Sequence, residues 1–146
     1  MKPLLSLLAA LSLSACAPVL GSNSSAVQMG TVPDLTGFTG TWEGQIFRRD
    51  DHDTQRTYTV QLNNYGGPVV GKISYQNCLA NLVSPVRQGN VLTLSEQPLQ
   101  GPCLGGSFRL YLLEEGQEVA YVSRQLSSGR LSDGPPNSVG YLDQQQ

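Results

Sequence analysis

The segment TYTVQLNNYGGPVVGKISY, Thr57–Tyr75, decides the fold class of this 146-residue chain. On each side of the turn residues NNYGGP, apolar and polar side chains alternate with a period of two. This alternation is typical of a β-strand with one buried face, and the Gly-rich interruption favours an antiparallel hairpin. The side chains predicted to face the interior are Tyr58, Val60, Leu62, Val69, Gly71, Ile73 and Tyr75.

Four further segments, TWEGQIF, NVLTLSE, SFRLYLL and EVAYVSRQL, alternate in the same way, the last of them less regularly. The side chains predicted to face inward there are Trp42, Gly44, Ile46, Leu92, Leu94, Phe108, Leu110 and Leu112. No segment has a convincing helical period. We therefore predict an all-β domain, a small antiparallel meander β-barrel of roughly seven or eight short strands, because closure removes exposed strand edges. A β-sandwich is the alternative.

The chain begins with a segment that has the form of a secretory signal, in which Lys2 precedes the apolar run LLSLLAALSL. This run is shorter than the roughly 20 residues that a membrane-spanning helix needs. Its end, LSAC, resembles the bacterial lipobox, which implies that Cys16 carries lipid and anchors the protein in the cell envelope. Ala17 is not an Asp, which resembles the pattern sent to the outer membrane in diderm bacteria. An ordinary signal peptide with an incidental Cys16 is the alternative.

Composition divides the chain into four regions. The predicted regions are a signal peptide at 1–15, the lipidated cysteine and a flexible tether at 16–37, a β-barrel domain at 38–131 and a flexible tail at 132–146. The tether is rich in Ser, Gly, Pro and Asn, and SVGYL within the tail could add a strand. Once Lys2 is removed, eight basic residues stand against eleven acidic ones. No basic patch is present, which argues against nucleic acid as a partner.

Cys78 and Cys103 are the only cysteines besides Cys16. An exported protein meets an oxidising compartment, and a domain of about 95 residues benefits from a covalent staple. Because their pairing leaves no odd thiol, we predict a disulfide between them. A reactive or metal-binding thiol pair is the alternative, but C-x-x-C spacing and neighbouring histidines are missing. We expect no metal and no cofactor.

The segment GFTGTWEG resembles the Gly-x-Trp start of the first strand in lipocalins and other calycins. It also resembles small bacterial exported domains with a W-x-G first strand, a G-x-I-x-Y third strand and a cysteine pair, which VGKISYQNC and the later SSGRL fit. The calycin resemblance implies that Trp42 packs across one end of the barrel under an arginine from a late strand. The candidates for that arginine are Arg124 and Arg130. The alternative is that Trp42 is a core aromatic without ligand contact.

The densest charge cluster is RRDDHD, Arg48–Asp53, which holds the only histidine, His52. We predict a solvated hairpin loop here, because alternate side chains at a hairpin tip point apart. A divalent cation site is the alternative. The segment LEEGQE is typical of another hairpin turn. No G-x-S-x-G or H-E-x-x-H motif occurs, and both domain thiols are predicted to be oxidised, so we expect no enzymatic activity.

Two functions remain open, and the sequence names neither ligand nor partner. The barrel interior or its mouth, near Tyr58, Tyr75 and Phe108, could bind a small apolar molecule. Alternatively, a filled barrel could act on an envelope protein through its loops or tether. Small periplasmic protease inhibitors with a lipocalin-like barrel use the segment before the first strand in this way, and MGTVPDLTG, residues 29–37, occupies that position. An open cavity of several hundred Å³ favours the first function, and a packed interior favours the second.

Overall fold

The structure, a computed structural model, describes residues 32–49, 54–64, 66–113, 116–124, 126–127, 130–131 and 136–146. Ten strands lie in these ranges, and none of the described residues is helical. The strands are β1 Gly40–Arg48, β2 Thr54–Leu62, β3 Val69–Tyr75, β4 Cys78–Gln88, β5 Val91–Gln100, β6 Gly106–Leu112, β7 Glu118–Arg124, β8 Leu126–Ser127, β9 Arg130–Leu131 and β10 Ser138–Gln145.

Eight of these strands form a closed barrel in the order β1-β10-β7-β6-β5-β4-β3-β2. Every neighbouring pair in the barrel is antiparallel. The short strands β8 and β9 pair with each other in a separate two-stranded sheet. The predicted small antiparallel meander barrel is therefore confirmed, and the sandwich is not the fold.

The prediction that residues 132–146 form a flexible tail is wrong for Ser138–Gln145. This segment is β10, which pairs with both β1 and β7 and so closes the barrel. Its inward positions include Ser138 and Gly140, and of its apolar residues only Leu142 is buried. The alternation is weak because small residues replace apolar ones at two inward positions.

Strand β3 departs from the predicted alternation at its first residues. Val69, predicted to face inward, is 40% exposed, whereas Val70 is only 2% exposed. The register between β3 and β4 shifts between Val69 and Gly71, which is the signature of a β-bulge. A bulge inserts one residue into the strand and moves the following side chains to the other face. The prediction for Val69 is therefore wrong, while Ile73 and Tyr75 face the interior as predicted.

Residues 32–39 close one end of the barrel, which we call the plug end. Leu35 and Phe38 are fully buried there. Arg87 of β4 donates hydrogen bonds to the carbonyl oxygens of Asp34 at 2.7 Å and Thr36 at 2.9 Å. Its guanidinium lies 5.4 Å from the centroid of the Phe38 ring, a cation–π distance. The predicted tether boundary at residue 37 is therefore wrong, because Leu35 already belongs to the core.

A local turn within residues 32–39 also stabilises the plug end. Asp34 Oδ1 accepts hydrogen bonds from the Thr36 hydroxyl at 2.6 Å and from the Thr36 amide at 2.9 Å. The hydroxyl bond, followed by the amide bond, holds the pKa of the exposed Asp34 carboxyl below its usual value. An Asp that bonds the backbone two residues on forms an Asx turn. This turn presents the two carbonyl oxygens that Arg87 binds.

Candidate functional site

Four aromatic side chains fill the half of the barrel interior that lies away from the plug. The Tyr58 and Tyr75 rings stack with centroids 4.4 Å apart, and the Phe108 and Tyr121 rings stack at 4.9 Å. Tyr58 and Tyr121 join the two pairs at 5.4 Å. The structure thus brings together Tyr58, Tyr75 and Phe108, the residues predicted to line the interior. Sequence reasoning placed Tyr121 only in a mixed segment and did not assign it to this cluster.

The barrel interior is filled by side chains. Tyr58, Ile73 and Leu94 are among the interior side chains with no exposed surface at all, and Phe108 is only 2% exposed. A cavity wide enough for a water molecule would leave accessible surface on the side chains around it, and these side chains have almost none. The interior at these residues is therefore a packed core, as small barrels commonly have.

Glycines opposite the tyrosines explain how the large rings fit. Gly44 of β1 lies directly opposite Tyr58, and Gly140 of β10 lies directly opposite Tyr121. A β-carbon added at Gly44 would collide with the carbonyl oxygen of Tyr141 on the neighbouring strand. The missing side chains allow the strands to approach closely and leave room that an aromatic ring from the next strand can cover.

A carboxylate lies at the edge of the aromatic cluster, at the end of the barrel opposite the plug. Glu96 accepts hydrogen bonds from the Tyr75 hydroxyl at 2.9 Å and from the backbone amide of Gly105. The Tyr75 hydroxyl in turn accepts a hydrogen bond from the Leu104 amide at 2.8 Å. Arg48, which is 6% exposed, contributes a positive charge near Glu96. Together these groups hold the loop 101–105 at this end of the barrel.

A disulfide between Cys78 and Cys103 fastens the same loop, so we call this end the disulfide end. The predicted pair is confirmed, with 4.9 Å between the two Cα atoms. Gly101 has a φ of 76°, and a β-carbon there would collide with the carbonyl oxygen of Asn77. The loop is therefore attached to the β3–β4 turn covalently and by close packing, and to the interior through Tyr75 and Glu96.

Glu96 gives the protein a specific pH dependence of stability. Burial raises the pKa of its carboxyl above the ordinary 4.5, although the hydrogen bonds from Tyr75 and Gly105 and the charge of Arg48 act in the opposite direction. The folded state therefore binds the proton more tightly than the unfolded state does. The stabilisation that protonation provides is fully present below pH 4.5 and is lost as the pH rises through the folded-state pKa.

We expect the stability of the Glu96→Gln variant to lack this decrease with rising pH. The amide cannot titrate but keeps an oxygen that can accept both hydrogen bonds. As the pH rises above 4.5, the free energy of unfolding of the wild type should fall relative to that of the variant. Urea denaturation of both proteins across this range measures the difference, in which the other carboxylates cancel. Parallel pH profiles would contradict the assignment.

Trp42 lies at the plug end of the barrel, and Arg124, one of the two arginines predicted to cover it, lies elsewhere. The indole Nε1 donates a hydrogen bond to the Phe38 carbonyl oxygen at 2.8 Å. Arg124 stands at the far end of β7, paired with Ser107, whereas β7 reaches the neighbourhood of Trp42 near Glu118. Six residues of strand span about 20 Å. The prediction that Arg124 covers Trp42 is therefore wrong.

The arginine that contacts the plug end comes from the middle of the chain. Arg130 lies in β9, outside the barrel sheet, and its side chain is outside the described residues. Arg87 of β4 binds the plug instead, over Phe38. Sequence reasoning missed Arg87, since it follows Pro85 in a stretch with no clear alternation. The register of β4 also shifts between Val83 and Val86, and Ser84 adopts a φ of 53° there.

The charged segment RRDDHD is only partly described. Arg48 is the last residue of β1 and faces the interior, so the prediction that it belongs to a solvated loop is wrong. Residues 50–53, including His52, lie outside the described residues, as does Cys16. Within the described ranges, no group of three His, Cys, Asp or Glu side chains is placed to hold a metal ion. The same ranges contain no helix long and apolar enough to cross a membrane.

No family model, no curated protein and no solved structure matches this chain. The resemblances to lipoproteins and calycins therefore rest on the short motifs quoted above.

Proposed function

We propose that this protein is a non-catalytic, lipid-anchored protein of the cell envelope whose filled β-barrel acts on proteins through its outer surface. The packed interior is the observation that supports this proposal. Tyr58, Tyr75, Phe108 and Tyr121 occupy the volume in which a lipocalin-like carrier would hold its ligand. With the interior occupied, the surface is what the barrel can offer to other molecules.

The anchor is assigned to Cys16, on the extracytoplasmic side of a membrane and, in a diderm host, the outer one. Fifteen residues separate Cys16 from Val32, the first residue described at the plug end. Fully extended, they can span at most about 58 Å. The plug end is therefore the end through which the barrel is connected to the lipid, and the disulfide end is the opposite one.

The segment before β1 is a weaker candidate for the partner contact. In an inhibitor-like mode, residues 29–37 would insert into a protease. Leu35 is fully buried, and Arg87 binds the carbonyl oxygens of Asp34 and Thr36. Insertion would require these contacts to break, which exposes Leu35 and leaves Arg87 without two of its acceptors. The outer faces of the strands need no such rearrangement.

Native mass spectrometry of the full exported chain and of its Cys16→Ser variant tests this proposal. We expect the wild type to begin at Cys16 and to carry acyl chains, whereas the variant should carry none. Both should lack any further non-covalent mass, and both should be two hydrogens lighter than the reduced chain. A small molecule that leaves on organic extraction from both proteins would overturn the filled-barrel function. Equal lipid content in the two would overturn the anchor.

A further inference from the structure

The outer face of β1, β10 and β7 exposes large apolar side chains, and we call it the β10 face. Phe47 is 47% exposed, Val139 is 40% exposed and Tyr141 is 61% exposed. Together with Val122 of β7 they line a shallow groove, in which Ala120 and Gly140 add little bulk. Contiguous exposed apolar surface of this kind marks interaction sites on soluble domains.

Charged residues lie at the two ends of this face, with opposite signs. At the plug end, Glu43, Asp143 and Glu118 stand side by side across the three strands. At the disulfide end stand Arg49, directly after β1, and Arg124, at the end of β7. Like charges directly opposite each other in a sheet are unfavourable. A row of three carboxylates is therefore a cost to the isolated barrel that a cationic partner surface would relieve.

Along these three strands, the acidic row and the arginines lie at equal distances from the middle of the β10 face. Two residues beyond the acidic row come Gln45, Tyr141 and Ala120, and two further come Phe47, Val139 and Val122. At the next outward position come Arg49 and Arg124 on the flanking strands and the neutral Asn137 before β10, so the central Asp143 is opposite an amide in the exchanged half. A line across the strands, midway between Tyr141 and Val139, thus separates an acidic half from a basic half at equal spacing. A two-fold rotation about such a line exchanges the two halves.

We propose that the β10 face binds the same face of a second copy of this chain, related by a two-fold axis that crosses the strands. In this arrangement Glu43 of one copy faces Arg49 of the other, and Glu118 faces Arg124. Tyr141 packs against Val139 of the second copy, at the centre of the contact. Isologous pairing of one patch with itself is the commonest symmetry of soluble oligomers.

Charge complementarity favours this orientation of the two-fold axis, and it favours a second copy of the chain over an anionic lipid surface as the partner. A two-fold axis parallel to the strands would place the acidic row of one copy on the acidic row of the other. An anionic lipid surface would likewise meet the three carboxylates. Because the barrel is convex, β10 makes the closest approach and takes the apolar contacts. The longer Glu and Arg side chains on the flanking strands can span the wider gap there.

The contact is small, and the membrane anchor compensates for this. Three strands of a convex surface bury less than the roughly 1,600 Å² of a standard interface, so the affinity in free solution is expected to be low. Anchoring both copies in one membrane raises their effective concentration. The inference rests on the proposed function in this one respect, because the anchor makes a weak contact sufficient.

Co-purification of two differently tagged full-length copies, expressed together and extracted in a mild detergent, tests the pairing. Glu43→Arg and Arg49→Glu change exposed residues of β1 and its extension. When both copies carry the same substitution, equal charges meet, and we expect about a tenfold loss of co-purification. When one copy carries Glu43→Arg and the other carries Arg49→Glu, opposite charges meet at both contacts, and recovery should return to the wild-type level.

Two further variants complete the test. Tyr141→Ser should reduce co-purification at least as much, since the residues whose truncation costs an interface most are enriched in tyrosines near its centre. Lys72→Glu, an exposed charge reversal on β3 across the barrel, should leave it unchanged. The pairing is overturned if wild-type copies do not co-purify, if single reversals change nothing, or if the mixed pair fails to recover. A ligand-free wild type that fails to pair would overturn only this inference, whereas a bound interior ligand would overturn only the proposed function.

Discussion

Replacing Trp42 by Ala is expected to lower the free energy of unfolding by about 3–5 kcal/mol, the usual range for a large aromatic removed from a core. The Trp42 side chain is fully buried between the interior and the plug. Its removal leaves a cavity at the plug end and also removes the hydrogen bond to the Phe38 carbonyl oxygen. Urea denaturation followed by circular dichroism, with the disulfide intact in both proteins, measures the difference.

Two controls separate the contributions of Trp42. Trp42→Phe keeps most of the apolar contact but loses the hydrogen bond, so it should be less destabilising than Trp42→Ala. Phe47→Ala removes an aromatic of the same strand that faces outward and is half exposed, and a change below about 1 kcal/mol is expected. A Trp42→Ala protein as stable as Phe47→Ala would show that the plug does not depend on the indole.

Short-range alternation was enough to predict the hairpin from β2 to β3 and most of its inward residues. Tyr58, Val60 and Leu62 are buried because period-two alternation in a strand reports directly on the face that packs inward. The same signal failed where one extra residue entered the strand. At Val69 and Val70 two apolar neighbours made either register plausible, and the bulge that chose between them depends on pairing with β4.

Long-range contacts explain the larger differences. Arg87 holds carbonyl oxygens more than fifty residues earlier in the chain, and no local pattern indicates that contact. Strand β10 is defined by its two neighbours, since its inward residues Ser138 and Gly140 carry almost no hydrophobic signal. The polar cluster that follows Arg48 hides its role in the sequence, although its position in β1 continues the inward series of Trp42 and Ile46.

The residues of the candidate site could be predicted from the sequence, but the packed interior that they form could not. Alternation placed Tyr58, Tyr75 and Phe108 inside the barrel. Whether they surround a cavity or fill it depends on the glycines opposite Tyr58 and Tyr121, which the register of four strands determines. The β10 face was beyond the sequence for a related reason. Its acidic row combines residues from β1, β7 and β10, which are separated by most of the chain and become neighbours only when the barrel closes.

Removing the Cys78–Cys103 disulfide is expected to lower the free energy of unfolding by about 3.5 kcal/mol. The bond joins cysteines 25 residues apart, and most of its effect in the chain-entropy model is to restrict the unfolded chain. The double variant Cys78→Ala/Cys103→Ala and the wild type, compared by urea denaturation without reductant, measure the difference. The wild type with reductant should approach the double variant, which controls for the two side-chain changes.

The disulfide is expected to act mainly on the unfolded state, because the loop 101–105 has other attachments in the folded one. The Leu104 amide is bonded to the Tyr75 hydroxyl, and the Gly105 amide is bonded to Glu96. In the double variant both amides should still exchange slowly with deuterium, at rates set by the lower global stability. If they exchange fast while the barrel amides stay protected, the sulfur bridge is what holds the loop across the disulfide end. The hydrogen bonds of Tyr75 and Glu96 would then depend on the disulfide and would not hold the loop in place without it.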